Sequence, residues 1–177
     1  MGFSKVHIFL LTLSSFIILH YHSQILVSSQ EMIHRECLNI TKSDPIPEDD
    51  ADSKTDIAII LLNCLTTQAD TLSSNMLDLG SSERDHTTKT VFQECAKDYA
   101  SAREDLVSAR VALMNNNVGE AVKCVVEAGK ANVACHKAII VYVLGEGKGK
   151  DVLYRMMAYD EISESVKRII GSISDFN

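Results

Sequence analysis

Residues 95–135 read CAKDYASAREDLVSARVALMNNNVGEAVKCVVEAGKANVAC, a stretch that begins and ends with a cysteine. Its centre is Asn115, the first residue of the polar run Asn115-Asn116-Asn117. Apolar residues recur at helical spacing on both sides of this run, which predicts two antiparallel helices joined by a tight turn. At ~1.5 Å of rise per residue, Cys95 and Cys135 each lie about 30 Å from the turn. The two thiols are therefore expected to face each other at the open end of a helical hairpin.

The same periodicity extends beyond the hairpin and predicts four long helices, over about residues 51–79, 88–114, 118–144 and 151–174. Asp52 or Ser53 would cap the start of the first helix, and Gly80 would cap its end. Short links between long helices favour an all-α, up-down-up-down four-helix bundle. The expected inward residues of the hairpin are Val91, Cys95, Tyr99, Ala102, Leu106, Ala109 and Leu113 on its first helix, and Ala121, Val125, Ala128, Asn132, Cys135, Ile139 and Tyr142 on its second.

The N-terminal part of the chain carries the features of a secretory signal. Lys5 provides a positive charge before an apolar run over about residues 6–19, and a polar, small-residue stretch follows it. The run is too short to indicate a membrane span, so we predict a signal peptide over residues 1–27 and a single domain over residues 28–177. The domain would begin with a short helical extension over about residues 30–41, followed by a loop at Pro45 and Pro47.

The composition narrows the range of partners. Loss of Lys5 with the signal would move the formal net charge from −7 to −8. An acidic chain without tryptophan and without a stripe of basic residues is unsuited to nucleic acid. No membrane association is expected after signal cleavage. Asn39-Ile40-Thr41 is an N-glycosylation sequon, which agrees with a secretory route.

The five cysteines of a secreted chain favour disulfides and leave at least one thiol over. Symmetric placement about the turn favours a bond between Cys95 and Cys135. Cys64 and Cys124 are most simply core residues, while Cys37 could be free, could bond to Cys64, or could bridge two chains. A monomer and a disulfide-linked dimer are therefore both open.

No set of residues predicts catalysis. The cysteine spacings contain no Cys-x-x-Cys pair, so no metal site is expected, and nothing indicates a cofactor. Cys135 and His136 are neighbours on a helix and point about 100° apart, which does not preorganise a nucleophile and its base. Gly145, Gly147 and Gly149 lack the preceding strand that a phosphate-binding loop requires and predict a flexible link.

The arrangement resembles the plant invertase and pectin methylesterase inhibitor family over about residues 30–175. Glu36-Cys37-Leu38 with Ser43-Asp44-Pro45 is similar to the sequence that enters that family's first long helix. Further similarities are Ala51-Asp52, Cys95-Ala96-Lys97-Asp98-Tyr99 with Ala102, Ala112-Leu113, Glu120-Ala121, Ala134-Cys135 and the amphipathic segment over residues 163–170. The likeness is strongest to the branch that contains pollen-allergen-like proteins named as invertase inhibitors.

The resemblance implies a four-helix bundle that binds a secreted plant carbohydrate enzyme and blocks its substrate cleft, with no chemistry of its own. Two departures stand out. Family members carry another cysteine before the one that matches Cys37, and residues 22–36 contain none. Invertase-directed members resemble one another in a Pro-Lys-Phe motif at the turn between the second and third long helices, where this chain has Asn117-Val118-Gly119.

Two alternative functions are therefore expected. The first is a secreted inhibitor in the apoplast or cell wall, directed at pectin methylesterase or acid invertase, with the former preferred because the Pro-Lys-Phe motif is absent. Its target-binding residues are expected at the turn: Asn116, Asn117, Val118, Gly119 and Glu120. The alternative is a non-inhibitory secreted interaction or stress protein that uses the same bundle, as the missing cysteine suggests.

Overall fold

The structure is a computed structural model that describes residues 37, 51–146 and 149–174. It contains four helices, α1 (Ala51–Ser82), α2 (His86–Met114), α3 (Val118–Glu146) and α4 (Lys150–Ser174), and no strand within those residues. The all-α prediction is confirmed. The predicted signal peptide, N-terminal helical extension, proline loop and sequon at Asn39 lie outside the described residues.

The four helices form a closed ring of neighbours. Each helix packs against the next one in the chain, and α4 packs back against α1. Because short links join consecutive helices, neighbours run antiparallel, which is the predicted up-down-up-down bundle. The turn between α2 and α3 consequently lies at one end of the bundle, which we call the tip. The other end carries the link between α1 and α2.

A chain of hydrogen bonds crosses the centre of the bundle. The Tyr99 hydroxyl donates to Asn132 Oδ1 at 2.6 Å, and Asn132 Nδ2 donates to the Met156 carbonyl at 3.1 Å. The rings of Tyr99 and Tyr159 meet edge to face with centroids 5.9 Å apart. Burial raises the pKa of both phenols, because the low-polarity core disfavours the phenolate. Asn132, expected on the inward stripe, therefore links α2, α3 and α4.

The end of α1 differs from the prediction. Gly80 does not cap the helix but lies inside it, because α1 continues to Ser82. A Cβ atom at Gly80 would lie only 3.2 Å from the Cβ of buried Phe92. Gly80 thus lies where α2 approaches α1 closely rather than in a turn, and a larger residue would need Phe92 to shift by a few tenths of an ångström. Asp52 and Ser53, expected as caps, likewise lie within the first turn of α1.

The start of α2 also lies earlier than the predicted residue 88. Asp85 is its N-cap, and its carboxylate accepts hydrogen bonds from the Thr88 backbone N–H at 2.7 Å and from the Thr88 hydroxyl at 2.8 Å. The hydrogen bond from the backbone N–H is the main cause that lowers the pKa of Asp85.

Two disulfides fasten the bundle. Cys95 and Cys135 are bonded with Cα atoms 5.5 Å apart, which is the predicted pair. The bond does not lie at the open end of the hairpin, because α2 begins at His86, nine residues before Cys95, and extends about 13 Å past it. Cys37 is bonded to Cys64, with Cα atoms 6.1 Å apart, so Cys64 is not a free core thiol.

The second bond decides among the alternatives left open for Cys37. Cys37 neither remains free nor bridges two chains in this structure. In the chain-entropy model, closing loops of 27 and 40 residues contributes roughly 3.5 and 4 kcal/mol. Cys124 is the free cysteine among the described residues.

Candidate functional site

The tip is built from three consecutive asparagines, each with a different structural role. Asn115 is the C-cap of α2, and its N–H donates to the Val111 and Ala112 carbonyls at 3.1 Å. Asn116 has a φ of 55°, the left-handed conformation that asparagine tolerates better than most residues. Asn117 is the N-cap of α3, because its side-chain oxygen accepts from the Glu120 N–H at 3.3 Å.

Hydrogen bonds across the turn hold these roles in place. The Asn116 N–H donates to the Leu113 carbonyl at 3.0 Å, and the Asn117 N–H donates to the Ala112 carbonyl at 2.8 Å. This pair of bonds is the Schellman arrangement that ends many helices. Asn117 therefore serves two helices, because its N–H bonds to the end of α2 and its side chain caps the start of α3. The turn has little conformational freedom and is a preorganised feature.

The residues predicted to bind the target are together at the tip. Asn116, Asn117, Gly119 and Glu120 are exposed, whereas Val118 is half-buried and packs against the core. The Glu120 carboxylate does not fold back to cap the N-terminus of α3. Its carboxylate pairs with Lys123 on the next turn of α3 at 3.4 Å.

Two apolar residues at the tip were not predicted as part of the site. Val111 is 50% exposed and Met114 is 66% exposed, and they are adjacent on the surface of α2 because they lie three residues apart. The sequence signal that could have identified them is an apolar residue at a position that helical periodicity assigns to solvent. The tip therefore presents an apolar pair beside a polar, rigid turn.

A cleft of about 320 Å³ lies on the seam between α2 and α3. Its lining includes Asp98 and Asp105 from α2, and Glu127 and Lys130 from α3. The pKa of Asp105 is raised, first by burial and then by the negative charge of Glu127 across the seam. Lys130 is held by Glu127 through an ion pair of 2.7 Å within α3. This side of the hairpin is consequently acidic.

The free thiol lies near the tip on α3. Cys124 is half-buried, and its Sγ lies 3.8 Å from Glu120 Oε1. Burial and then the carboxylates of Glu120 and Asp105 raise the pKa of Cys124. The thiolate is thus disfavoured, and Cys124 is a poor nucleophile at neutral or acidic pH.

In residues 37, 51–146 and 149–174, no group of three or more histidine, cysteine or acidic side chains is arranged to hold a metal ion. The helices in this part of the chain also lack the length of apolar sequence that a membrane span requires.

Comparisons of the chain with protein-family models, with curated proteins and with solved structures found no match.

Proposed function

We propose that this chain is a secreted protein inhibitor that inserts the tip of its bundle into the substrate cleft of a plant cell-wall carbohydrate enzyme. The observation that carries the proposal is the tip itself, where a hydrogen-bonded turn presents exposed Met114 and Val111 beside Asn116. A convex, rigid projection with an apolar contact fits a concave site at low entropic cost. The resemblance of the cysteine-containing motifs to the inhibitor family supplies the class of target.

Pectin methylesterase is the preferred target, and acid invertase is the other one. Asn117-Val118-Gly119 offers no basic or aromatic side chain at the place where invertase-directed inhibitors resemble one another in Pro-Lys-Phe. The two disulfides are compatible with an extracellular location in the apoplast or cell wall. In this proposal the protein acts by occlusion and performs no reaction.

The first experiment measures inhibition directly. Purified protein is titrated against several plant pectin methylesterases and acid invertases across acidic pH. We expect stoichiometric inhibition of at least one methylesterase. Failure to inhibit any of these enzymes would reject the proposal and favour the alternative, a non-inhibitory secreted interaction or stress protein. The alternative is supported by the absence of a cysteine in residues 22–36, which removes the family's N-terminal bond.

The second experiment locates the contact. Burial of a Met side chain contributes about 1.5–3 kcal/mol, so Met114, two-thirds exposed when free, should contribute about 1–2 kcal/mol. Met114→Ala is therefore expected to weaken inhibition roughly tenfold. Leu77→Ala is the matched control, because Leu77 is also apolar and 53% exposed but lies near the other end of the bundle. Equal inhibition by both variants would exclude Met114 as a contact.

A test of the asparagine side chains as contacts requires substitutions that preserve the turn. Asn116→Gly keeps the left-handed conformation, and Asn117→Asp keeps an N-cap acceptor, while each removes the side-chain amide. Glu120→Gln removes a charge without loss of volume. If the turn binds through these side chains, the triple variant should lose inhibition while its melting temperature stays near that of the parent. Full inhibition by the folded triple variant would restrict the contact to Met114 and Val111.

A further inference from the structure

Three large exposed apolar residues in the described part of the chain lie along the seam between α3 and α4. Val126 and Val133 are two turns apart on α3, and Met157 of α4 lines the same cleft as Val133. We call these three residues the α3–α4 face. Of these, Met157 is 60% exposed and Val133 is 49% exposed. Apolar side chains clustered in this way are typical of an interaction surface.

Two clefts run along the seam of the α3–α4 face. The larger, of about 380 Å³, is lined by Val126 and Val133 among others, and the smaller, of about 140 Å³, by Val133 and Met157. The seam between α3 and α4 therefore contains holes that side chains of another helix pair could fill.

Charges on the α3–α4 face are divided between its two helices. Lys137 on α3 and Asp160 on α4 line both clefts, and neither is in an ion pair with another described residue. Other charges at the larger cleft are already neutralised within their own helices, Lys130 by Glu127 and Lys167 by Glu164. The face thus offers one free cation on α3 and one free anion on α4 at similar heights.

We propose that the α3–α4 face binds a second copy of this chain about a two-fold axis parallel to the bundle. This arrangement places α3 of one copy against α4 of the other, so that Lys137 meets Asp160 of the second copy twice by symmetry. The face is about 37 Å long and about 20 Å wide, from the helix length and two helix diameters. It offers roughly 700 Å² per copy, close to the ≈ 800 Å² per partner of a standard interface.

The test is the solution mass of the full mature chain, measured by sedimentation equilibrium at roughly 0.15 M ionic strength. Cys124→Ser serves as the parent, so that no covalent dimer contributes. We expect a concentration-dependent dimer in the parent, and a strictly monomeric parent would overturn the proposal. Val133→Glu with Met157→Glu should weaken dimerisation at least tenfold. Leu77→Glu, an exposed apolar residue on α1, is the matched control and should leave the dimer intact.

A charge exchange tests the orientation of the two copies. Lys137→Glu alone and Asp160→Lys alone should each weaken the homodimer, because each places like charges opposite one another. An equimolar mixture of the two variants should restore pairing as a heterodimer, since both of its contacts then join opposite charges. The double variant Lys137→Glu with Asp160→Lys regains both and should dimerise like the parent.

Failure of the double variant to recover, with circular dichroism showing a folded bundle, would overturn the proposed orientation. Loss of the dimer in Leu77→Glu would place the interface elsewhere and overturn the proposal itself. This inference is independent of the inhibitory function, because Met114→Ala at the tip should leave the dimer unchanged. A chain that dimerises and fails to inhibit, or inhibits and remains monomeric, separates the two proposals.

Discussion

Replacement of Gly80 by alanine tests whether the close approach of α1 and α2 or helix propensity decides stability at this position. Gly80 lies inside α1, where an alanine would ordinarily be preferred by about 1 kcal/mol. The added Cβ would meet the Phe92 Cβ at 3.2 Å and the Lys89 carbonyl oxygen at 3.6 Å. Helix propensity and packing therefore act in opposite directions.

The contact with Phe92 is expected to prevail. Its Cβ is attached directly to the backbone of α2 and cannot rotate away as the end of a flexible side chain would. The Phe92 ring is buried and meets the Tyr142 ring edge to face, with centroids 4.9 Å apart, so a shift of α2 would disturb this contact as well. Overpacking typically costs 1–3 kcal/mol. Gly80→Ala should thus destabilise the bundle by about 1 kcal/mol net.

Gly129 provides the matched control, because it lies in the middle of α3 and a Cβ there would have no atom within 4 Å. Gly129→Ala should stabilise the protein by up to ~1 kcal/mol through propensity alone. Urea unfolding of both variants, at the same low protein concentration, gives the two free energies of unfolding. The difference between them isolates the steric cost at Gly80, expected at about 2 kcal/mol. If Gly80→Ala is as stabilising as Gly129→Ala, the argument from close approach is wrong.

Two further predictions concern groups inside and beside the core. Tyr99→Phe should destabilise the bundle by about 1–3 kcal/mol, because it leaves the buried oxygen of Asn132 without the hydroxyl that donates to it, and chemical denaturation measures the loss. Asp105→Asn should stabilise the protein at neutral pH, with a gain that vanishes in acid. The folded pKa of Asp105 is raised, so its favourable contribution is complete below the unfolded value of 3.8 and is lost as pH rises through the folded value. Melting temperatures of parent and variant from pH 3 to 8 measure this gain, and an equal gain at every pH would contradict the assignment.

The fold could be predicted because its determinants repeat along the chain. Tyr99, Leu106 and Ile139 are buried as the helical spacing requires, and the cysteine pair about the asparagine run matches the bonded hairpin. A helix interface uses many residues, so the periodic pattern survives an error at any one of them. The second disulfide was only one of several alternatives, because spacing alone does not show which side of a helix a distant cysteine approaches.

Positions that depend on distances between helices could not be predicted. The sequence context of Gly80, near the end of an apolar pattern, is that of a helix cap, and only the nearness of Phe92 gives it another role. Helix spacing arises from tertiary packing and is not encoded in local sequence. The start of α2 is a different case, because the contact of Asp85 with Thr88 spans three residues and an aspartate before a helical pattern is a local N-cap signal.

The turn at the tip was predictable from the sequence, and its role as a target contact stays a prediction. An asparagine run between two helices marks a turn, and the structure assigns each of the three residues a backbone role. Residues occupied by such roles are poor carriers of specificity, because replacing them alters the turn before it alters the contact. Met114 has no capping or turn-forming role, and the turn holds it in place on the neighbouring end of α2. In the proposed inhibitor, specificity would thus rest on Met114 and Val111, while the asparagines would determine how firmly that pair is presented.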